Sequence, residues 1–193
     1  MRTFGDQHCG ELRNGYVRLV TPPLTVDELI TILSRGADVY DEPGLDLLAH
    51  SLQTAEILSL RFPDDPELIC AGLVHDIADA LDPGAHTDHE RIGSALVAGL
   101  LGSRVASLVG GHVAAKRYLS TVEPGYEVST RSGETLGLQG GRMSPDEIAQ
   151  FEDLPEFRDL IELRRADDAG KDPSRQVRQL EHWRPLLEMV ASG

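Results

Sequence analysis

This chain is short of cysteine, short of positive charge, and without either long apolar runs or alternating ones. Each shortage removes a class of protein. Its two cysteines, Cys9 and Cys70, stand far apart among 193 residues. Neither a disulfide framework nor a CxxC metal or redox pair is therefore written into it, which fits a reducing cytoplasm. Cys70 falls in an apolar run and reads as a small buried hydrophobe. Lysine and arginine number 18 against 32 acidic residues, a net charge of −14. That balance argues against nucleic acid as a partner, while a local positive pocket for a small anion stays open. The opening "MRTFGDQHCGELRNGYVRL" has no apolar h-region, and no stretch approaches ~18 uninterrupted apolar residues. No membrane partner is expected, and a cytoplasmic location is. No region alternates with period two over a useful length, and no repeat is visible.

What is present is helical punctuation. Residues 1–23 have no sustained periodicity and read as an N-terminal extension to a single domain over 24–193. Thr25 with Glu28 makes a capping box ahead of "VDELITILS". "GADVYDEPG" (36–44) is a breaker-rich loop. Apolar residues recur with helical period over 45–62, and "PELICAGLVHDIADAL" (66–81) is apolar on all faces, hence central. Helices are expected over 89–102 and 103–119, the second capped by Ser103. The Gly-, Ser- and Thr-rich stretch 120–142 reads as a long irregular loop. Ser144, Pro145 and Glu147 open another helix, with two more over 156–171 and 175–190. The fold class is all-α, one domain of about seven helices.

The core pattern is interrupted by polar groups. Residues 71–81, "AGLVHDIADAL", place His75, Asp76 and Asp79 in an apolar helix, where an unpartnered charge costs several kcal/mol. Four of seven histidines, His50, His75, His89 and His112, fall on or at the ends of apolar helices. His8, His86 and His182 sit in polar surroundings and read as surface residues. One histidine on an apolar face is ordinarily a satisfied core residue; four, with an adjacent aspartate, point to metal. Imidazoles with carboxylates suit iron, manganese or zinc, whereas calcium takes mostly oxygen. Asp76 has two oxygens and can bridge two ions. Asp167 in "LRRADDAGK" is the best further acidic ligand. His112 with Lys116 (i,i+4) and Arg164 with Asp167 (i,i+3) each put a cation one turn from a ligand, which suits an anionic substrate bound to metal.

His50, His75-Asp76 and Asp167 together resemble the signature of the HD-domain superfamily, an all-α metal-binding helical bundle with its site in the core. "HERIG" with His89 and "GHVAAKRYL" with His112 resemble the extra ligands of dinuclear members. "GHVAAKRYL", "ETLGLQGGRM" and "RRADDAGK" resemble the HD-domain oxygenases that cleave organophosphonates, relatives of myo-inositol oxygenase. The likeness spans residues 34–190. It implies two iron ions, Fe(II) and Fe(III), with O2 as co-substrate. One iron would lie on His50, His75, Asp76 and Asp167, the other on the bridging Asp76, His89 and His112. Lys116, Arg164 and Ser132 match positions that hold the substrate phosphonate, and Gln139 matches the "QGG" of relatives. Tyr40 matches a gating tyrosine on a mobile segment.

Two departures stand out. Where the relatives place a phosphonate-contacting histidine, this chain has Asp79, which reads either as the acceptor of an ammonium group or as a partner lying outside the pocket. Where they place a glutamate after the gating tyrosine, it has Pro43, with Glu42 one residue before. The implied function is O2-dependent cleavage of the C–P bond of a small 1-hydroxy (amino)phosphonate to phosphate and a carboxylate. The alternative is a metal-dependent phosphohydrolase acting on a small phosphate ester. The partner is a small anion, and the chain is expected to be a monomer or a weak homo-oligomer.

Overall fold

In the computed structural model, residues 24–83, 88–126 and 130–193 are described, without the side chains at 41, 42 and 130–132. The extension 1–23, with His8 and Cys9, and His86 lie outside the described residues. Helix α1 (Val26–Arg35) starts where its capping box demands: Thr25 Oγ1 accepts from the Glu28 N–H at 3.2 Å, and the Glu28 carboxylate accepts the Thr25 N–H at 2.9 Å. It buries Leu29, Ile30, Ile32 and Leu33. The expected loop at 36–44 holds a 3-10 turn (Gly36–Asp38) and an antiparallel hairpin of β1 (Tyr40–Glu42) and β2 (Leu45–Asp46). Strands of three and two residues are too short to leave a period-two signal.

Helix α2 (Leu47–Arg61) follows, with Asp46 Oδ1 accepting from the Ala49 N–H at 2.7 Å. Helix α3 (Pro66–Val74) is buried from Leu68 through Val74, which makes it the central element. The expected continuous helix over 66–81 is instead broken at His75-Asp76. Asp76 takes φ −105°, ψ 20°, and α4 (Ile77–Leu81) resumes beyond it. The break serves the metal site, as described below.

Helix α5 (His89–Val122) is a helical hairpin. Unbroken, it would place His89 and His112 about 35 Å apart at 1.5 Å per residue. Gly102, at φ 83° and ψ 173°, sits in a backbone region essentially closed to other residues and folds the chain back. A Cβ on Gly93 would lie 3.2 Å from Val109 Cγ1, and one on Gly110 3.2 Å from Ser94 Oγ, so the limbs run antiparallel in close contact. The expected boundary between 102 and 103 falls at this turn. By length and composition alone α5 passes as a membrane-spanning helix; folded back, it packs on α3, α4 and α8.

Part of the expected loop at 120–142 forms α6 (Thr130–Leu138), a helix of weak formers without a clear apolar stripe. Helix α7 (Pro145–Glu152) has the Ser144–Glu147 capping box in place, and α8 (Phe157–Ala169) matches its expected span. The last expected helix shrinks to a 3-10 turn (Leu180–Trp183) and α9 (Arg184–Ala191). Pro185 explains this: without an N–H it is tolerated only in a first turn.

Helix α2 packs most extensively on α3 and α8, and α5 on the same two. The fully buried Leu58, Leu73, Leu108, Leu163 and Leu187 lie in this core, each contributing ~1.5–3 kcal/mol by leaving water. Arg104 of α5 ties the layers at the rim, donating to Asp65 at 2.7 Å, Glu67 at 3.2 Å and Asp159 at 2.9 Å. Cys70 is buried as expected, and burial pushes its thiol up to about 12.

Candidate metal centre

The break between α3 and α4 turns the Asp76 carboxylate into the gap between α2, α5 and α8. Its two oxygens then face different histidines. Oδ2 lies 3.2 Å from His75 Nε2 and 3.8 Å from His50 Nε2. Oδ1 lies 3.4 Å from both His89 Nε2 and His112 Nε2. Asp167, near the end of α8, completes the first group with Oδ1 3.3 Å from His50 Nε2. Two donor sets therefore share one carboxylate: His50, His75, Asp167 and Asp76 on one side, His89, His112 and Asp76 on the other. Each of the two trios centred on Asp76 has its donors within 4.8 Å of one another.

Tautomers show what these donors face. His50 Nδ1 donates to Gly170 O at 3.0 Å, His75 Nδ1 to Gly72 O at 2.9 Å and His112 Nδ1 to Val109 O at 2.7 Å. A carbonyl only accepts, so each neutral ring keeps its Nε2 lone pair for the centre. The Nε2 atoms of His50 and His75 nevertheless approach to 3.2 Å, and those of His89 and His112 to 3.0 Å. Buried lone pairs and carboxylates converging this closely require positive charge between them. Donors spaced at 3.0–3.4 Å match neighbouring ligands on an ion with bonds of about 2.1 Å. The set is nitrogen and oxygen only, which suits a borderline divalent or trivalent ion.

The electrostatics agree. Burial alone would raise Asp76, but His75, His112 and His89 hold it well below the usual carboxylate range. Asp167 is likewise held low against burial, chiefly by Arg164 and Lys171. Burial disfavours the charged His75 and His89, yet Asp76 outweighs it and brings each to about 9. His112, dominated by burial, is lowered.

Cations line one side. Lys116, 4% exposed, donates from Nζ to Thr135 Oγ1 at 3.0 Å; burial and then Arg164 lower it to about 8. Arg164, 3% exposed, donates from Nη1 to Asp167 Oδ2 at 2.7 Å and from Nε to the Tyr126 hydroxyl at 3.0 Å. It also pairs through Nη2 with Asp168, to which Tyr126 donates its O–H. Burial opposes the Arg164 cation, but Asp167 and Asp168 raise its pKa. Arg164 therefore takes one oxygen of Asp167 and leaves the other facing His50.

The remaining sequence candidates fall as follows. Asp79, on α4, is buried, and its charge is among those that raise His89. Gln139 is half-buried just after α6. Position 132 lies on α6, but the Ser132 side chain is outside the described residues. Tyr40 is 68% exposed on β1, and the Glu42 side chain is outside the described residues too. His182 is on the surface, 3.2 Å from Arg178 Nη1. Sequence reasoning missed Thr135, Tyr126, Asp168 and Lys171, whose Nζ lies 3.7 Å from Asp167 Oδ1. Lys171, four residues after Asp167, and Asp168, four after Arg164, carried the same spacing signal as Lys116; Thr135 and Tyr126 became partners only through packing.

Residues 47–149 match the HD domain family. A glycine-betaine-forming 1-hydroxy-2-(trimethylamino)ethylphosphonate dioxygenase from Leisingera caerulea is 31% identical over 166 residues, covering 81% of this chain and 84% of the relative. A hydroxymethylphosphonate dioxygenase from Gimesia maris is 33% identical over 180 residues, covering 87% and 89%. The matched span contains five of the six metal-facing residues, and the longer matches cover most of both chains. With a buried dinuclear His/Asp site to match, this chain belongs to the HD-domain family and, within it, to the phosphonate oxygenases.

Proposed function

We propose that this enzyme uses O2 and an Fe(II)/Fe(III) pair to cleave the C–P bond of a small 1-hydroxyphosphonate carrying an amino or ammonium group. The observation that carries the reading is Asp76, with each oxygen facing a separate imidazole group beside the buried cations Lys116 and Arg164. In the balanced reaction, R–CH(OH)–PO3(2−) and O2 give R–COO(−), HPO4(2−) and a proton. His50, His75, Asp76 and Asp167 would hold one iron, and Asp76, His89 and His112 the other. The pair supplies the one-electron and O2 chemistry.

The chain supplies binding, orientation and charge. Lys116 and Arg164 neutralise the phosphonate, with Gln139, just after α6, beside it. An anion beside Lys116 favours its ammonium form and so offsets the desolvation that lowers it to about 8. Asp79 receives the substrate's positive charge. The Leisingera caerulea relative is named for a substrate with a trimethylamino group, which fits a buried carboxylate where a histidine was expected. Tyr40, on its exposed hairpin with Glu42 two residues on, gates access to the irons.

The test is iron-loaded protein supplied with 1-hydroxy-2-aminoethylphosphonate and its trimethylammonium analogue. Equimolar O2 consumption and phosphate release are expected, with a coupled mixed-valent EPR signal that shifts on substrate addition. Phosphate release from simple esters under manganese or magnesium, without O2 uptake, overturns the reading in favour of a phosphohydrolase.

A further inference from the structure

The three imidazoles with carbonyl partners are not held alike. His75 and His112 donate to carbonyls three residues back on their own helices, Gly72 and Val109. His50 donates to Gly170, 120 residues away, in the turn after α8. Its orientation therefore depends on where that turn sits.

The turn is strapped to α2 at two points. Gln53, 1% exposed and one helical turn after His50, donates from Nε2 to Asp172 O at 2.8 Å. Its Oε1 accepts from the Asp172 N–H at 3.1 Å. One side-chain amide thus satisfies both backbone groups of a single residue, 119 positions away. At Gly170 the fit is tighter: a Cβ there would lie 2.7 Å from Thr54 Oγ1 and 3.2 Å from Thr54 N. Thr54 is itself fixed, its hydroxyl donating to His50 O at 3.0 Å. Gly170 N–H in turn bonds Asp167 O at 3.1 Å.

From this interlock we infer that Gln53 is a positioning residue for the first metal. It clamps the 170–172 turn onto α2 and so sets the Nε2 direction of His50 and the approach of Asp167 together. It touches neither metal nor substrate. A second metal held by His89 and His112 on α5 has no such dependence. The inference rests on the reading of His50 and Asp167 as metal ligands.

The test is Mn(II) binding, followed by competition with a chelator, to chains purified metal-free. Gln53→Leu keeps the side chain's bulk and removes both hydrogen bonds. The ratio of the two ions' affinities should change, with the affinity at the His50 position falling about tenfold and that at the His89–His112 position within twofold of the parent. His112→Ala in the same background identifies which ion is which. Gln53→Glu keeps the bond from the Asp172 N–H and should lose less than Gln53→Leu; it also carries the test if the leucine variant fails to fold. Equal losses at both positions, tracking a lowered melting temperature, would assign Gln53 a purely structural role and overturn the inference, as would unchanged affinities. No turnover is measured, so a chain that proved to be a phosphohydrolase would leave this result intact, and the O2 assay alone would register that failure.

Discussion

The two candidate metal positions are built by opposite strategies. The first draws His50 from α2, His75 and Asp76 from the break between α3 and α4, and Asp167 from α8. Its geometry is a product of long-range packing, and its imidazole orientation is set in part by a remote turn. The second draws both imidazoles from α5, and its geometry is a product of one backbone reversal at Gly102. One position is therefore vulnerable wherever α2, α3 and α8 meet, the other at a single glycine. Asp76 alone belongs to both.

Removing the shared residue should have the largest effect. Asp76→Ala leaves each imidazole group without its bridging charge, and metal analysis should find neither position filled and no oxygenase activity. Gly102→Ala comes next. Nothing lies within 4 Å of a Cβ built there, so the cost is purely conformational, about 1–3 kcal/mol. The melting temperature should drop, and one metal per chain should be lost while the first position keeps its ion. His112→Ala is the companion: it should lose the same metal with the fold retained. If Gly102→Ala keeps both metals, the hairpin is not what assembles the second position.

A pH titration sharpens the contrast without mutation. His75 and His89 stand at about 9 in the metal-free chain against an ordinary 6.5. A raised folded-state pKa means stability fully present below 6.5 and lost as pH rises toward 9. His112 is lowered, so its contribution runs the other way and is lost as pH falls below 6.5. Metal-free protein should therefore melt highest near pH 6.5, and lower at 9. Metal affinity should rise over the same interval, because each ion displaces protons from the histidines. A metal-free melting temperature that climbs from pH 6.5 to 9 would contradict this arrangement.

The smallest effect is expected at the substrate side. Thr135→Val removes the hydroxyl that accepts from Lys116 and keeps the shape. A hydrogen bond to a charged group is worth about 1.5–3 kcal/mol, and part of that is recovered when an anion takes its place. KM should rise roughly tenfold or less, with kcat and metal content unchanged. A fall in kcat alone would place Thr135 in the chemistry rather than in holding Lys116.

Several elements show how much is legible along the chain. The caps at Thr25 and Ser144 are readable because a capping box is a local contract between four consecutive positions. The six metal-facing residues stand out because burying several histidines and aspartates in apolar helices is costly unless a cation neutralises them. The break at His75-Asp76 is not readable, since the apolar run continues on both sides of it and no glycine or proline stands at the break itself. Helix α6 is hidden for the converse reason: weak formers become a helix in the folded chain. The tiny hairpin at Tyr40 and the shortening of the last helix at Pro185 lie between these cases, the second being a signal that was present and unused.

Residue type and spacing within single helices were enough to establish the helical class and to mark the candidate donor residues and the cations near them. Packing settled which oxygen of Asp76 serves which position and which oxygen of Asp167 is withheld by Arg164. It also brought Gln53 to the turn after α8, Thr135 to Lys116 and Tyr126 to Arg164. Those assignments depend on directions between elements more than a hundred residues apart in some cases. Hydrogen bonds and metal bonds are directional, and periodicity along one chain carries no information about how two helices meet.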